Sequence, residues 1–416
     1  MLAIFGYLHQ MKPMHWQSSQ RLELVHYDIR GPIYLKALEM EAAGHEIIPL
    51  NIGNPAAFGL EVPVELREEL AKAITRSGGY THQLGNKNAR EAIVQYANQM
   101  GIWDADLNHV VIGNGVSELI LMSMQALLNP GDEVLVPAPD YPLWTAAINL
   151  AGGVAVHYPC IEENGWQPDL DQIRKKINTR TKALVVINPN NPTGAVYSLD
   201  CLNQLVAIAE EFKLVLCSDE IYDHVLFDER KHVSCASLGT QTLFLTYGGI
   251  SKNHFAAGYR AGWLIMSGLK KEASDFMDGL QLLASMRLCS NALAQAAIPV
   301  ALQNFEQIRN AVRPGGRLFE QKNMVVERLN SMQGLSCAVP GGAMYVFPSV
   351  DKKVYRFIND QDFVLQLLVK KNVLLVPGKG FNHHDDHHFR LVFLAPISQL
   401  DEALDRIQEL LHENLV

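Results

Sequence analysis

The stretch ALVVINPNNPTGAVYSLDCLNQLVAIAEEFKLVLCS, residues 183–218, contains the unit from which the fold is predicted. Apolar runs at Ala183–Ile187 and Val215–Ser218 predict two buried strands, and the amphipathic pattern of Asp200–Phe212 predicts a helix between them. Regular alternation of strands and helices is typical of a mostly parallel sheet with helices on both faces. The sequence therefore predicts an α/β domain.

Similar units are predicted before and after this stretch. Further strands are expected at His109–Ile112, Glu133–Val136, Ala155–Tyr158, Leu243–Tyr247 and Gly262–Met266. Further helices are expected at Ser117–Leu128, Tyr141–Ala151 and Asp169–Ile177. Several of these strands are apolar on both faces, which is typical of strands inside a sheet that is covered on both sides.

Beyond about Lys270 the pattern changes and indicates a second domain. It is mainly helical as far as Asn330, with interruptions predicted near Pro299 and Pro314. The segments that follow are predicted at Leu335–Val339, Met344–Phe347, Val373–Val376, Phe389–Leu394 and, as a final helix, Ser398–His412. They indicate a smaller α+β domain, on which the early helix Ile33–Ala43 is also expected to pack.

The expected domain boundaries follow from this change of pattern. Residues 1–20 are interpreted as an N-terminal extension, either disordered or arising from the assigned start codon. Residues 21–62 are expected to form the first segment of the small domain. Residues 63–299 would then form the large domain, and residues 300–416 the rest of the small domain.

Composition narrows the class of protein. With 416 residues, 48% of them hydrophobic, the chain can bury a large core. A net charge of -9 argues against a nucleic-acid binder and against attachment to anionic lipid. No run approaches the roughly 20 apolar residues of a membrane span. Six scattered cysteines without a C-x-x-C pair indicate reduced thiols in a cytoplasm, most of them in the core.

Glycine-rich and polar motifs follow the predicted strands, at the positions where α/β proteins bind ligands. After His109–Ile112, the sequence GNGVSEL places Gly115, Val116 and Ser117 at the start of a helix, where N–H groups and a hydroxyl can bind phosphate. An ordinary glycine turn with a serine N-cap would explain the same residues. After the next strand, Tyr141 is placed either to stack on a planar cofactor or to fill the core.

Two later motifs supply hydrogen-bonding groups. The loop NPNNPTG offers the side-chain amide of Asn191 as a donor, with two prolines restricting the backbone. Asp219 ends the strand Val215–Ser218, and Tyr222 follows three residues later. A carboxylate beside a pyridine nitrogen keeps that nitrogen protonated, which makes the ring an electron sink. A strand-end aspartate that caps a helix is the alternative.

The sequence YGGISK, residues 247–252, lies eight residues before Arg260. A lysine that carries a cofactor aldehyde as an imine, with an arginine that binds the cofactor phosphate, is what pyridoxal phosphate (PLP) chemistry requires. A lysine in a solvated glycine-rich loop is the alternative for this motif alone.

A histidine-rich motif, HHDDHH, occupies residues 383–388. It could hold a metal ion. Since nothing else in the sequence indicates a metal, we expect a solvated loop with adventitious affinity for nickel or zinc and no resident metal.

Together these motifs resemble the fold-type I PLP-dependent aminotransferases of class I/II, and most closely the bacterial alanine (glutamate-pyruvate) aminotransferases. The resemblance extends from about Leu22 to the final helix. It rests on YDIRGP, LNIGNPAAFG, IGNGVSELI, PAPDYPLW, INPNNPTGAVYS, DEIYD, ISK, GYRAGW, LASMRLCSN, GGAMYVFP and FRLVFLAP. It implies a large domain with a mostly parallel mixed sheet covered by helices, and a smaller α+β domain.

The resemblance also implies roles for matching residues. The catalytic residues would be Lys252, as imine lysine and proton-transfer base, Asp219 and Tyr222. The cofactor-binding residues would be Gly115, Val116, Ser117, Tyr141, Asn191, Asp219, Tyr222, Ser251, Lys252, Arg260 and Tyr80. The substrate-binding residues would be Gly53, Asn191 and Arg390. In this family the tyrosine matching Tyr80 reaches the cofactor of the partner subunit, which implies a homodimer with shared active sites.

The implied reaction converts alanine and 2-oxoglutarate to pyruvate and glutamate by a ping-pong mechanism. An aminotransferase for aromatic or branched substrates, a C–S β-lyase and a non-catalytic regulatory relative are the alternatives. The sequence departs from many relatives at Gly249, where they carry a serine that binds phosphate, and at Asn253, His254 and Phe255 after the lysine.

Overall fold

The computed structural model describes residues 16–25 and 28–416. In this part of the chain the strands are β1 (Ile48–Pro49), β2 (Val110–Gly113), β3 (Glu133–Ala138), β4 (Val154–Ile161), β5 (Gln167–Pro168), β6 (Thr181–Ile187), β7 (Val215–Asp219), β8 (Leu243–Gly249), β9 (Gly262–Gly268), β10 (Leu335–Ser336), β11 (Tyr345–Val346), β12 (Ser349–Val350), β13 (Val373–Leu374), β14 (Val376–Pro377) and β15 (Phe389–Val392).

The α-helices of the same residues are α1 (Pro32–Ala42), α2 (Val64–Ala73), α3 (Lys87–Gln99), α4 (Val116–Leu127), α5 (Leu143–Leu150), α6 (Leu170–Lys176), α7 (Leu199–Phe212), α8 (Ile250–Asn253), α9 (Ser274–Met286), α10 (Ala292–Gln295), α11 (Ala297–Ala301), α12 (Glu306–Val312), α13 (Arg317–Ser331), α14 (Asp360–Lys371) and α15 (Ile397–Glu413). Short 3-10 helices, such as Gly378–Phe381, connect some of these elements. None of the helices described is long and apolar enough to cross a membrane.

The large sheet has the strand order β2-β9-β8-β7-β6-β3-β4-β5. The pairs β3–β4, β3–β6, β6–β7 and β7–β8 are parallel, which confirms the predicted mostly parallel mixed sheet. Strand β9 is antiparallel to both β8 and β2. Because of these two reversals, β2 is parallel to β8. The carboxyl ends of β2, β3, β6, β7 and β8 therefore lie at one edge of the sheet, together with the start of β9.

Alternate residues of the central strands face opposite layers of helices. Val185 and Ile187 of β6 pack with residues of α4, α5 and α9, whereas Leu184 and Val186 pack with residues of α3 and α7. This follows from the two-residue period of a strand. Burial on both faces explains why the strand has a continuous apolar sequence.

The beginning and the end of the described chain pack together. Strand β1 pairs in parallel with β13, with Ile48 opposite Val373. Ala37 and Met40 of α1 pack with Leu368 of α14. Strands β11, β15 and β14 form an antiparallel sheet beside this unit. The boundaries at residues 62 and 299 stay a prediction, and most of the predicted extension, residues 1–20, lies outside the described residues.

The helical segments are interrupted on both sides of Pro299, near the predicted position, although Pro299 itself lies within a helix. Pro299 is the third residue of α11, and the larger gaps lie between α9 and α10 and between α11 and α12. Proline is tolerated in the first turn of a helix, because its missing N–H has no partner there in any case. The interruption at Pro314 is confirmed, since it lies between α12 and α13.

Candidate active site

A cavity of about 560 Å³ opens at the sheet edge where the strand ends meet. It brings together most of the site residues predicted from the sequence, namely Gly53, Val116, Ser117, Tyr141, Asn191, Asp219, Tyr222, Ser251, Lys252, Arg260 and Arg390. Ile29, Arg30, Ile52 and Tyr345 also line it, although no site role was predicted for them. The structure therefore gathers at one place residues that are up to several hundred positions apart.

Lys252 lies in α8, which begins directly after β8. Its Nζ atom donates a hydrogen bond of 2.7 Å to the carbonyl oxygen of Gly53. The next two side chains contact other parts of the protein: Asn253 Nδ2 donates to Asp223 Oδ1 at 2.5 Å, and His254 Nε2 donates to the Ala301 carbonyl oxygen at 2.8 Å. The residues after the lysine that differ from those of many relatives, Asn253, His254 and Phe255, therefore pack against other parts of the protein and do not line the cavity.

Asp219 is the last residue of β7 and its side chain is buried. Trp144 Nε1 donates a hydrogen bond of 3.1 Å to Asp219 Oδ2. Burial raises the pKa of this carboxyl group to about 6. No lysine, arginine or histidine of the described residues forms a salt bridge with it. A buried carboxylate in this setting favours a cationic partner inside the cavity.

The sequence did not reveal the role of Trp144. It is fully buried in α5, and the motif PAPDYPLW contains it. The contact between Trp144 and Asp219 could not be predicted from their spacing in the sequence, because the two residues meet only when β3 and β7 lie in the same sheet.

Arg390 and Asn191 line the same cavity and contact each other. Arg390 Nη1 donates to Asn191 Oδ1 at 3.0 Å, and Nη2 donates to the Asn51 carbonyl oxygen. The guanidinium carbon lies 4.5 Å from the centre of the Tyr345 ring and 4.6 Å from that of Phe381. These contacts hold the guanidinium group in one orientation, with cation–π attraction to both rings.

Tyr222 and Tyr345 meet through their hydroxyl groups, whose oxygens are 2.6 Å apart. Burial raises the pKa of Tyr222 well above its usual value. For Tyr345, burial also acts to raise the pKa, but the positive charges of Lys252 and Arg390 outweigh it and lower the pKa. The pair is therefore a hydrogen-bonding unit beside Lys252, and Tyr345 is its more acidic member.

The start of α4 and Arg260 form an anion-binding end of the cavity. Gly115 precedes the helix with a φ of 83°, and a Cβ atom there would collide with the Arg260 guanidinium group. Arg260 donates to the carbonyl oxygens of Ala257, at 3.0 Å, and Asn114, at 3.2 Å. Free N–H groups at a helix start next to a guanidinium group favour a phosphate.

Comparison with known proteins identifies the family. The family model for aminotransferase class I and II matches residues 45–407. This chain belongs to the class I and II aminotransferase family. The glutamate-pyruvate aminotransferase AlaA of Haemophilus influenzae is 49% identical to it, over 95% of this chain and 98% of the relative. The alanine aminotransferase of Mycobacterium bovis is 48% identical, over 96% and 95% of the two chains.

Solved structures agree with this assignment. A crystal structure of an aminotransferase from Escherichia coli has a TM-score of 0.95 and 46% identity, and covers 96% of this chain and 99% of its own. The alanine aminotransferase from Pyrococcus furiosus has a TM-score of 0.91 and 38% identity, over 95% and 100% of the two chains. The aminotransferase therefore has fold type I, and its cofactor is PLP.

The residues around the cavity fit this cofactor. Asp219 provides a buried carboxylate for a protonated ring nitrogen, and the α4 start with Arg260 provides an anion site for a phosphate. Lys252 provides a primary amine in the same cavity. The side chain of Tyr141 lies at the cavity wall, as expected for a ring that stacks on the cofactor. Ser251 is buried and lies beside Lys252.

Two predicted site residues do not line the cavity: Gly115, which lies directly behind Arg260, and Tyr80. Tyr80 is the one for which a contact to another subunit is predicted. Its side chain is 81% exposed. Exposure of a large aromatic ring is compatible with a contact to a partner subunit, so its assignment stays a prediction.

The substitution at Gly249 has a steric explanation in this aminotransferase. A Cβ atom at this position would lie 3.0 Å from the Ala261 carbonyl oxygen and 3.2 Å from Gly262 Cα. Strands β8 and β9 thus approach closely here, and a serine would require the backbone to shift.

The prediction of a solvated loop at residues 383–388 is wrong for two of its histidines. His383 and His388 are buried, whereas His384 is exposed. The ring of Phe347 stacks on His388, and Trp166 lies edge-on to both buried histidines. The polar sequence suggested solvent exposure, but these aromatic side chains from elsewhere in the chain cover the loop.

Proposed function

We propose that this aminotransferase transfers the amino group of alanine to 2-oxoglutarate, giving pyruvate and glutamate in a ping-pong reaction. The observation that carries the proposal is the identity of 47 to 49% with relatives named glutamate-pyruvate or alanine aminotransferase, over nearly the full length. The arrangement of the cavity supports it, since one buried arginine faces the same space as the lysine and the carboxylate.

When bound, PLP supplies a ring that withdraws electrons and stabilises negative charge at the substrate Cα. Asp219 would keep the ring nitrogen protonated, because its buried carboxylate gains a cationic partner. Tyr222 and Asn191 would donate hydrogen bonds to the phenolic oxygen. Lys252 would bind the cofactor covalently, and its released amine would take up the Cα proton of the amino acid and return it.

Substrate orientation would depend on Arg390. Its guanidinium group presents parallel donors that match a carboxylate, and the rings of Tyr345 and Phe381 fix its plane. Both alanine and 2-oxoglutarate carry a carboxylate next to the reacting carbon. One arginine can therefore orient both substrates, with the Gly53 backbone beside it.

We further propose a homodimer in which Tyr80 contacts the cofactor phosphate of the other subunit. The exposed ring of Tyr80 and its absence from the cavity lining of its own chain support this arrangement. We also assign the enzyme to the cytoplasm, because the described cysteines are free thiols and all but Cys289 are buried.

The test is a panel of amino acids added to the purified PLP enzyme. Loss of the absorbance of the lysine-bound cofactor reports the first half-reaction, and identification of the keto acid reports the product. We expect alanine and glutamate to react with a kcat/KM at least about tenfold above that of tyrosine, leucine and valine. Faster reaction of an aromatic or branched amino acid would sink the proposal, as would release of ammonia from a cysteine conjugate without pyruvate formation from alanine.

A further inference from the structure

A group of metal-ligand side chains lies outside the active site, in the loop between the 3-10 helix Gly378–Phe381 and β15. The group consists of His383, Asp385 and His388. Each offers one ligand atom, and these three atoms lie within 4.8 Å of one another. Two imidazoles and a carboxylate are ligands that zinc and other divalent transition ions accept.

The side chain of His383 is buried and lacks hydrogen-bond partners among the described residues. The residue is 3% exposed, and neither ring nitrogen has a hydrogen-bond partner among the described residues. Its Nε2 atom lies 3.1 Å from Asp385 Oδ2, but not in hydrogen-bond geometry. Buried polar side chains in proteins almost always have hydrogen-bond partners, because an unpaired polar group loses its bonds to water without replacing them. A bound cation would satisfy His383.

His388 has the second partner that metal-bound histidines usually have. Its Nδ1 atom lies 2.7 Å from Asp385 Oδ1, and its Nε2 atom lies 3.0 Å from Glu162 Oε2. A carboxylate on the far nitrogen orients the imidazole and makes it a stronger ligand. Glu162 begins the 3-10 helix Glu162–Asn164 directly after β4, so this contact is made between distant parts of the chain.

The surroundings of the group favour a specific site over surface affinity. The rings of Trp166 and Phe347 enclose the two histidines on the protein side. The side chain of Asp385 is 21% exposed, so an ion can enter from the solvent side. Hydrophobic enclosure strengthens interactions between an ion and its ligands.

We propose that His383, Asp385 and His388 bind one divalent transition-metal ion of the zinc type, with Glu162 orienting His388 and solvent completing the coordination. The ion connects the loop to β15 and, through Glu162, to the large sheet. It adds to existing contacts of the loop, in which Asn382 Nδ2 donates to Asp140 Oδ1 at 2.8 Å. Its expected role is to stabilise the loop that directly follows Phe381, whose ring packs against Arg390.

The test measures zinc binding by the PLP-loaded enzyme. Bound metals are first removed with a chelator, the protein is then dialysed against zinc, and the zinc content is measured by elemental analysis. We expect about one equivalent of zinc per chain in the native protein, as for other sites with three protein ligands. His383→Gln and Asp385→Asn should each weaken binding at least about tenfold. His384→Gln is the matched control, because this exposed neighbour belongs to the same motif but not to the proposed site, and it should bind zinc normally.

Cobalt in place of zinc gives a second measurement. Its visible absorption should indicate four or five ligands and should disappear in His383→Gln. The cofactor absorbance and circular dichroism of each variant establish that it is folded. Absence of stoichiometric zinc in the native protein would overturn the proposal. Equal zinc binding by the folded His383→Gln variant and the native protein would also overturn it. Loss of zinc binding in His384→Gln would overturn it as well, because it would indicate adventitious affinity of the surface histidines.

Discussion

Replacing Asp219 with asparagine is expected to affect the cofactor-free and PLP-bound forms of the aminotransferase in opposite directions. In the cofactor-free protein the carboxylate is buried and has no basic side chain as an ion-pair partner among the described residues. Asparagine has nearly the same shape and can still accept the hydrogen bond from Trp144, but it has no charge to desolvate. Asp219→Asn should therefore stabilise the cofactor-free protein and weaken PLP binding.

The size of the effect follows from the pKa of Asp219. Burial raises it from 3.8 to about 6, so the folded state holds this proton more tightly than the unfolded state. The stability that the proton provides is complete below pH 3.8 and is lost as the pH rises through about 6. The shift corresponds to about 3 kcal/mol once the group is ionised, and to about half of that near a pH of about 5.

Urea unfolding of the cofactor-free proteins tests this reasoning. Asp219→Asn should exceed the native protein in unfolding free energy by about 3 kcal/mol at about pH 7.5 and by about half as much at about pH 5. Asp278→Asn, which changes an exposed carboxylate in α9, should show no such pH-dependent difference. A cofactor-free Asp219→Asn protein that is less stable than the native protein at about pH 7.5 would refute the reasoning, as would unchanged or tighter PLP binding.

Three further substitutions test the remaining parts of the site. Lys252→Ala should abolish transamination while PLP remains bound noncovalently, and spectroscopy should show the free aldehyde; measurable turnover would contradict the assignment. Arg390→Lys should lower kcat/KM about 10- to 100-fold for both amino and keto acids, because a paired donor to the carboxylate is lost; an unchanged kcat/KM would exclude Arg390 from substrate binding. Gly249→Ser should lower the unfolding free energy by about 1 to 3 kcal/mol, because β8 and β9 leave too little space; undiminished stability in urea would show that the strands can separate.

The site motifs could be predicted from the sequence because parallel strands place their carboxyl ends at one edge. Asn191 follows β6 and Asp219 ends β7, and these strands are neighbours, so two local predictions combine into one site. The direction of β9 could not be predicted in this way. Its apolar pattern is the same in either direction, and only its pairing with β8 and β2 shows that Arg260 precedes the strand at the same edge.

Contacts between residues distant in the sequence account for what was missed. Trp144 and Asp219 are 75 positions apart, and Tyr222 and Tyr345 are 123 apart. No local pattern encodes such a pair, because each residue taken alone is an ordinary core aromatic or strand-end carboxylate. The buried histidines of the 383–388 loop were misjudged for the same reason, since the side chain of Trp166 that covers them lies more than 200 positions earlier.

The active site depends on contacts that join the two ends of the chain to the large sheet. Lys252 Nζ binds the Gly53 carbonyl oxygen, and Arg390 Nη1 binds Asn191 Oδ1. Each of these bonds uses a group to which we assign a role in the proposed reaction. Covalent attachment of PLP would take Lys252 away from Gly53, and a substrate carboxylate would compete with Asn191 for Arg390. The oxygens of Gly53 and Asn191 therefore orient the lysine and the arginine that we propose to bind the cofactor and the substrate.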